Sequence, residues 1–264
     1  MIFRTRRIHS KGLLTSLYQS SVHSGLFLFL RIMSLPFFFI KDLNTNQIAL
    51  NEETSRHVVS VLRMQKGDQI LLTDGKGTKA IAAIVDDNRK KSTVQLLSLE
   101  SIPKNERKVA VGISLIKNTS RFEWFLEKAT EIGVAEIIPL QCERTEKEKF
   151  RHDRMQNILV SAMLQSQQYW LPVLHEVTPF EKAIALPFDK RYIAHCEDSK
   201  KGSLQVVTLG GTSSQIILIG PEGDFTHSEI ELALSNNFTP VSLGSTRLRT
   251  ETAGMVAATL LCLS

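Results

Sequence analysis

The chain has 264 residues, 42% of them apolar and 22% charged, which excludes a disordered or collagen-like protein and gives enough length for one large or two modest domains. The formal charge is +5, but residues 1–33 hold five basic residues (Arg4, Arg6, Arg7, Lys11, Arg31) and no acid, so 32 − 5 = 27 basic residues remain against 27 acidic ones. The body is therefore neutral, and any nucleic-acid binding must come from a local patch.

The first 33 residues are basic, contain serines and lead into an apolar run, Gly25 to Leu30, that Arg31 interrupts. Three readings stand: a signal peptide, an organelle transit peptide, or a prefix ahead of a true start at Met33. No apolar run reaches the ~20 residues that span a bilayer, so no membrane partner is expected. Cys142, Cys196 and Cys262 lack C-x-x-C spacing. That predicts a reduced, cytoplasmic protein with neither a disulfide framework nor a metal site.

Residues 34–102 read as a small β-rich domain. Asn51 or Thr54 caps a short helix, Glu52 to Leu62, whose apolar face is Val58, Val59, Val61 and Leu62. Strands follow over Gln69–Thr73, Lys79–Val85 and Thr93–Leu99, the first two joined by the hairpin signal Asp74-Gly75-Lys76-Gly77. Short strands with glycine turns suggest a small barrel. Its basic residues Arg56, His57, Arg63, Lys66, Lys76, Lys79, Arg89, Lys90 and Lys91 either pair with nucleic-acid phosphates or form a solvated surface.

After a linker over residues 102–107, the second domain runs to residue 264. Lys108–Ile116 is an apolar strand, and Ser120-Arg121-Phe122-Glu123 has the spacing of a capping box. The helix Arg121–Ile132 carries the stripe Phe122, Phe125, Leu126, Ala129 and stops at Gly133. A strand, Val134–Leu140, then a charged loop, lead to a helix capped by Asp153 and running to about Gln168. Val173–Val177, Arg191–Cys196 and Gln215–Ile219 are further strands, with a short helix, Phe180–Leu186, between the first two. Alternating strands and helices predict a parallel α/β sheet. Lys117 and Arg121 lie at a strand exit that opens a helix, a place where anions such as RNA phosphates bind.

The last fifty residues concentrate the chemistry. Ile216–Ile219 ends in Gly220-Pro221-Glu222-Gly223. Thr226-His227-Ser228-Glu229 is a second capping box, and the helix behind it ends near Asn236-Asn237. A second short strand ends in Leu243-Gly244, and a polar turn with Arg247 and Arg249 leads to a small-residue helix capped by Thr250. Ligands of open α/β sheets sit outside the carboxyl ends of the strands, so two glycine-bearing strand exits predict one pocket. The chain lacks the G-x-G-x-x-G of a dinucleotide oxidoreductase and the glycine-lysine pattern of a P-loop.

The run Ile219 to Phe225 (I-G-P-E-G-D-F), then Ser242-Leu243-Gly244, then Leu248 to Ala253 (L-R-T-E-T-A), closely resembles the RsmE family of SPOUT-class ribosomal RNA methyltransferases. The resemblance extends to His57–Arg63, which singles out Arg56, His57 and Arg63 as RNA-binding candidates, to Lys128–Gly133 and Glu143-Arg144-Thr145, and to the start at Met33-Ser34-Leu35-Pro36, which favours the prefix reading of residues 1–33. Gln168-Tyr169-Trp170 departs from the family, which carries an arginine there. The resemblance implies a PUA-like β-barrel that helps hold RNA, then a SPOUT-type parallel sheet with a C-terminal trefoil knot. It implies S-adenosyl-L-methionine as cofactor, a homodimer, and methylation of N3 of a uridine in 16S ribosomal RNA, uridine 1498 near the decoding site. Arg249 and Glu251 become the catalytic candidates. Ile219, Gly220, Pro221, Glu222, Gly223, Leu243, Gly244, Leu248, Thr250 and Thr252 become the cofactor-binding candidates. The alternative is a non-catalytic RNA-binding or ribosome-assembly factor on the same scaffold.

Overall fold

A computed structural model describes residues 35–146, 149–198, 201–204 and 213–263. The expectation for residues 1–33 lies outside the described residues. The chain falls into two compact units. The smaller comprises residues 46–71 and 81–98 with the segment ending at Phe38; the larger comprises residues 39–45, 72–80 and 99 onward.

The first sheet has five strands: β1 (Phe37–Phe39), β2 (Gln47–Ala49), β3 (Gln69–Thr73), β4 (Thr78–Asp86) and β5 (Thr93–Ser101), ordered β1-β3-β4-β5-β2. In β4 the alternation of Ala80, Ala82 and Ile84, all buried, with more exposed residues sets one face inward. The helix α1 (Glu52–Arg56) is capped by Asn51, whose side chain accepts the Thr54 N–H at 2.8 Å. It continues as a π-helical turn, His57–Val61. The wider turn rotates the apolar face apart: Val58 is buried, whereas Val61 and Leu62, expected on the same face, are exposed. The Asp74–Gly77 turn joins β3 to β4 as expected. Within the larger unit, Gly77 N–H donates to Tyr169 O at 2.8 Å and Leu171 N–H to Gly75 O at 2.8 Å. The divergent Tyr169-Trp170 pair thus packs on this turn, which accounts for it structurally.

The second sheet carries the site. Its strands are β6 (Val109–Ser114), β7 (Glu136–Gln141), β8 (Val173–Leu174), β9 (Thr178–Pro179), β10 (Lys190–Ala194), β11 (Gly202–Ser203), β12 (Gln215–Ile219) and β13 (Thr239–Ser242). The order is β11-β13-β10-β12-β6-β7-β8, with β9 beside β7, and every one of these pairs is parallel. Both faces are apolar because both are covered. Val111, Ile113, Ile137, Ile217 and Ile219 meet α2 (Thr119–Ile132), α3 (His152–Gln165) and α6 (Thr250–Leu263). The alternate residues, among them Ala110, Ile138, Ile216 and Leu218, meet α4 (Phe180–Ala183) and α5 (His227–Ser235).

Three expected caps differ. The helix α2 starts two residues earlier than expected, with Asn118 accepting the Ser120 N–H at 3.0 Å, so Ser120 forms no capping box. Asp153 lies in the first turn of α3 instead of capping it, and that helix ends at Gln165. Thr250 is the first residue of α6, and its hydroxyl donates elsewhere. Gly133, with φ +96°, and the Thr226/Glu229 box stand as expected. Of the expected strand Val173–Val177 only Val173–Leu174 forms, as β8; β9 begins after it at Thr178.

Candidate functional site

Parallel pairing puts the exits of β10, β12 and β13 on one edge, and β10 lies between β12 and β13. Glycine is needed at the β12 exit: a Cβ on Gly220 would lie 3.1 Å from the Phe225 backbone N and from its ring. The chain reverses there, with Asp224 N–H donating to Pro221 O at 2.9 Å. Thr250 Oγ1 donates to Gly220 O at 3.1 Å, tying the start of α6 to this turn. At the β13 exit, Gly244 has φ +149°, and Ser242 Oγ donates to Gly244 O at 2.9 Å.

These loops enclose a cavity of about 430 Å³. Its walls include Ile219, Gly220, Pro221 and Glu222 from the β12 exit, Leu248, Arg249, Thr250 and Glu251 from the entry to α6, and Arg121 from α2. A second cavity of about 400 Å³ contains Val241, Leu243, Gly244 and Leu248. The two share Ala194, Cys196, Arg247, Leu248 and Ala253. The sequence-predicted Gly223 and Thr252 line neither cavity. Ala194 and Cys196 line the first cavity and were not expected, because nothing in the β10 exit has a motif of its own; Asp224, within the Ile219–Phe225 motif, lines it too but was not among the expected site residues.

The charge in the first cavity is balanced: Arg121, Arg247 and Arg249 face Glu222, Asp224 and Glu251. A polyphosphate would meet three carboxylates there, whereas a ligand carrying both signs is accommodated. Glu251 is 8% exposed, and its Oε1 lies 3.6 Å from Arg121 Nε. Arg249 is exposed at the rim. His195, beside the second cavity, is 8% exposed, and neither ring nitrogen has a hydrogen-bond partner among the described residues. Burial pushes its pKa below the ordinary value, and the Lys201 ammonium adds to this against the pull of Asp224 and Glu197.

The remaining basic candidates are distributed otherwise. Lys117 lies beside the cavity, its backbone N–H donating to Glu222 Oε1 at 3.3 Å and its ammonium 2.8 Å from Glu146. Arg56, His57 and Arg63 are exposed on the smaller unit. Arg56 is 3.2 Å from Glu52, the His57 ring meets Phe38 edge-on at 5.7 Å, and Arg63 has φ +56°. Burial pushes the Cys142 thiol up to about 12, so it is inert at neutral pH. Among the described residues, no group of three His, Cys, Asp or Glu side chains could hold a metal, and no helix is long and apolar enough to cross a membrane.

Residues 103–262 match the family model for an RNA methyltransferase domain, and residues 50–97 match that for an RNA methyltransferase PUA domain. The Bacillus subtilis ribosomal RNA small subunit methyltransferase E is 31% identical over 225 residues, which are 79% of this chain and 87% of that protein. The crystal structure of a probable rRNA-methyltransferase from Porphyromonas gingivalis superposes with a TM-score of 0.80 at 38% identity, covering 85% of this chain and 95% of that one. A Neisseria gonorrhoeae ribosomal RNA small subunit methyltransferase E, solved bound to S-adenosyl methionine, superposes with a TM-score of 0.73 at 25% identity, over 85% of this chain and 95% of that one.

Proposed function

The chain belongs to the RNA methyltransferase family that includes ribosomal RNA small subunit methyltransferase E, and from that premise we propose that it methylates N3 of a uridine in 16S ribosomal RNA with S-adenosyl-L-methionine. The observation that carries this reading is the paired cavity at the β10, β12 and β13 exits, into which the entry to α6 brings Arg249 and Glu251. The substrate position is uridine 1498.

The residues present fit the cofactor. The missing Cβ at Gly220 lets Phe225 close the turn against it, and the β12 exit lines the first cavity from Ile219 to Glu222. Leu243 and Leu248 give the second cavity apolar walls suited to an adenine, and Glu222 gives the first a carboxylate suited to a cationic group, whereas both Asp224 oxygens are taken by the Phe225 and Cys196 N–H groups. When bound, S-adenosyl-L-methionine supplies a methyl group on a positively charged sulfur. The protein must then bring uracil N3 into line and help it lose its proton. Glu251 is the carboxylate positioned to accept that proton, directly or through water, while Arg121 beside it holds the carboxylate in place. Arg249, at the rim, supplies the cation that stabilises the developing negative charge on the base. Thr250 fixes both by anchoring the start of α6 to Gly220. Gly223 lines neither cavity, but its carbonyl accepts a hydrogen bond from Arg144 at 2.8 Å, and Thr252 lies exposed on the first turn of α6.

The finer architecture belongs to the same reading. A C-terminal trefoil knot is supported by the route of the last segments: β12 connects through α5 on one face to β13 beyond β10, and α6 returns to the opposite face against β6 and β12. Residues 34–102 form the PUA-like barrel that holds RNA through Arg56, His57 and Arg63, and residues 107–264 the SPOUT domain with Lys117 at the RNA side. The enzyme works as a homodimer in the cytoplasm, and Met255, Val256 and Leu260, only partly buried on α6, support such a contact.

The test is Arg249→Ala. Turnover on small ribosomal subunits should fall by at least about a hundredfold, the scale of losing a preorganised charge in a transition state, with cofactor binding retained. Unchanged turnover would remove Arg249 from the mechanism.

A further inference from the structure

The Glu143-Arg144-Thr145 turn has no place in the mechanism above, and Asp224 lies at a left-handed backbone angle, uncommon for a residue other than glycine. Together they act on one loop. Thr145 Oγ1 pairs with Ser114 Oγ at 2.8 Å and accepts the Cys142 N–H at 2.9 Å, which fixes the turn to the end of β6. Glu143 N–H donates to Glu229 Oε1 at 2.9 Å, and Glu229 Oε2 accepts the Thr226 N–H at 2.8 Å. From that rigid base the Arg144 guanidinium reaches the loop after β12, donating from Nη1 to Gly223 O at 2.8 Å and Phe225 O at 3.4 Å.

Asp224 holds the same loop from the other side. It has φ +64°, and its two carboxylate oxygens are both used: Oδ1 accepts the Phe225 N–H at 2.9 Å and Oδ2 accepts the Cys196 N–H at 2.7 Å. The second bond joins the β12 exit to the β10 exit across the mouth of the cavity. A left-handed angle at a non-glycine residue persists where the surroundings over-determine it, and here two charge-assisted bonds do so.

We infer that Arg144 and Asp224 are positioning residues that hold Gly220–Phe225 in the shape that receives the cofactor. This inference rests on the cofactor reading above. It assigns Arg144, an exposed arginine in an RNA methyltransferase, to the cofactor loop instead of to RNA. Without either hold the loop spends most of its time in other shapes, and apparent affinity falls by the fraction of molecules still competent. Losing one charge-assisted hydrogen bond corresponds to roughly a tenfold fall in that fraction.

The experiment is isothermal titration of the full chain with S-adenosyl-L-methionine, comparing wild type with Arg144→Ala, Arg144→Lys and Asp224→Gly, together with steady-state kinetics. Arg144 is on the surface and glycine suits φ +64°, so both truncations should fold, and circular dichroism checks this. The expected result is a Kd and a cofactor KM raised about tenfold in Arg144→Ala and Asp224→Gly, with kcat at saturating cofactor nearly unchanged. Arg144→Lys should fall between, because an ammonium keeps the charge but reaches the two carbonyls less well. Wild-type affinity in both truncated variants would overturn the inference while leaving the cofactor reading intact. Failure of wild type itself to bind would remove both.

Discussion

Replacing Gly254 by alanine probes how α6 docks under the site. Gly254 is buried on the face of α6 that meets β6 and α2. An added Cβ would lie 2.8 Å from Phe125 Cε2, 2.9 Å from Ile113 Cδ1 and 3.0 Å from Phe125 Cδ2. Phe125 and Ile113 are fully buried, so neither can swing into solvent. Two effects oppose. Alanine favours a helix interior over glycine by about 1 kcal/mol. Forcing a methyl into a close-packed core costs about 1–3 kcal/mol. The overlap is with two fixed side chains at once, so packing should win, giving a net loss of roughly 1 kcal/mol. Gly254→Val adds bulk without the alanine gain and should cost about 3 kcal/mol. Urea unfolding followed by circular dichroism measures both. A Gly254→Ala protein more stable than wild type by about 1 kcal/mol would show that propensity alone acts there and that α6 is not packed as described.

Three further outcomes follow from the site. Thr250→Val removes the hydroxyl that donates to buried Gly220 O and should cost about 1–2 kcal/mol in urea unfolding; an unchanged midpoint would mean the tie is unimportant. His195 has a pKa lowered by burial, so the folded state binds fewer protons than the unfolded one near and below the ordinary histidine value. Stability from this residue is therefore full above that value and lost as pH falls below it, and His195→Phe should lose less stability than wild type between pH values of about 7.5 and 5.5. Equal acid sensitivity in the two proteins would contradict it. Glu251→Gln keeps the size of the side chain but cannot take a proton, and should lower kcat about a hundredfold with cofactor affinity retained, as measured by single-turnover kinetics.

Much of this was legible in the sequence because it is local. The Thr226 box, Gly133, the Phe122-Phe125-Leu126-Ala129 stripe and the β3 boundaries all depend on neighbours within a few residues. The glycine-bearing exits of β12 and β13 predicted the cavity for the same reason. Errors arose where two residues close in sequence compete for one role: Asn118 and Ser120 can both cap α2, and Asn118 does so by accepting the Ser120 N–H. The π-helical turn after Arg56 also has no local signature, so the apolar face of α1 was extended too far. What could not be read was long-range. Nothing in Cys196, Asp224 or Arg144 shows that they meet around one loop, since they come from the exits of β10, β12 and β7. Arg121, expected at an anion-binding helix start, also lies beside Glu251, 130 positions later in the chain, a pairing that spacing does not reveal. Trp170 departs from the family pattern, and its ring nitrogen donates to Ile102 O at 3.1 Å, a packing role that spacing alone does not reveal.

The central claim is methyl transfer to a uridine, and the most direct measurement is of the product. Small ribosomal subunits from a strain lacking this modification would be incubated with the protein and isotopically labelled S-adenosyl-L-methionine, and the RNA digested and analysed by mass spectrometry. The account predicts label in 3-methyluridine at a single position, lost with Arg249→Ala. Label on a different atom or base, or cofactor binding with no transfer to RNA, would contradict it and point to the non-catalytic RNA-binding alternative.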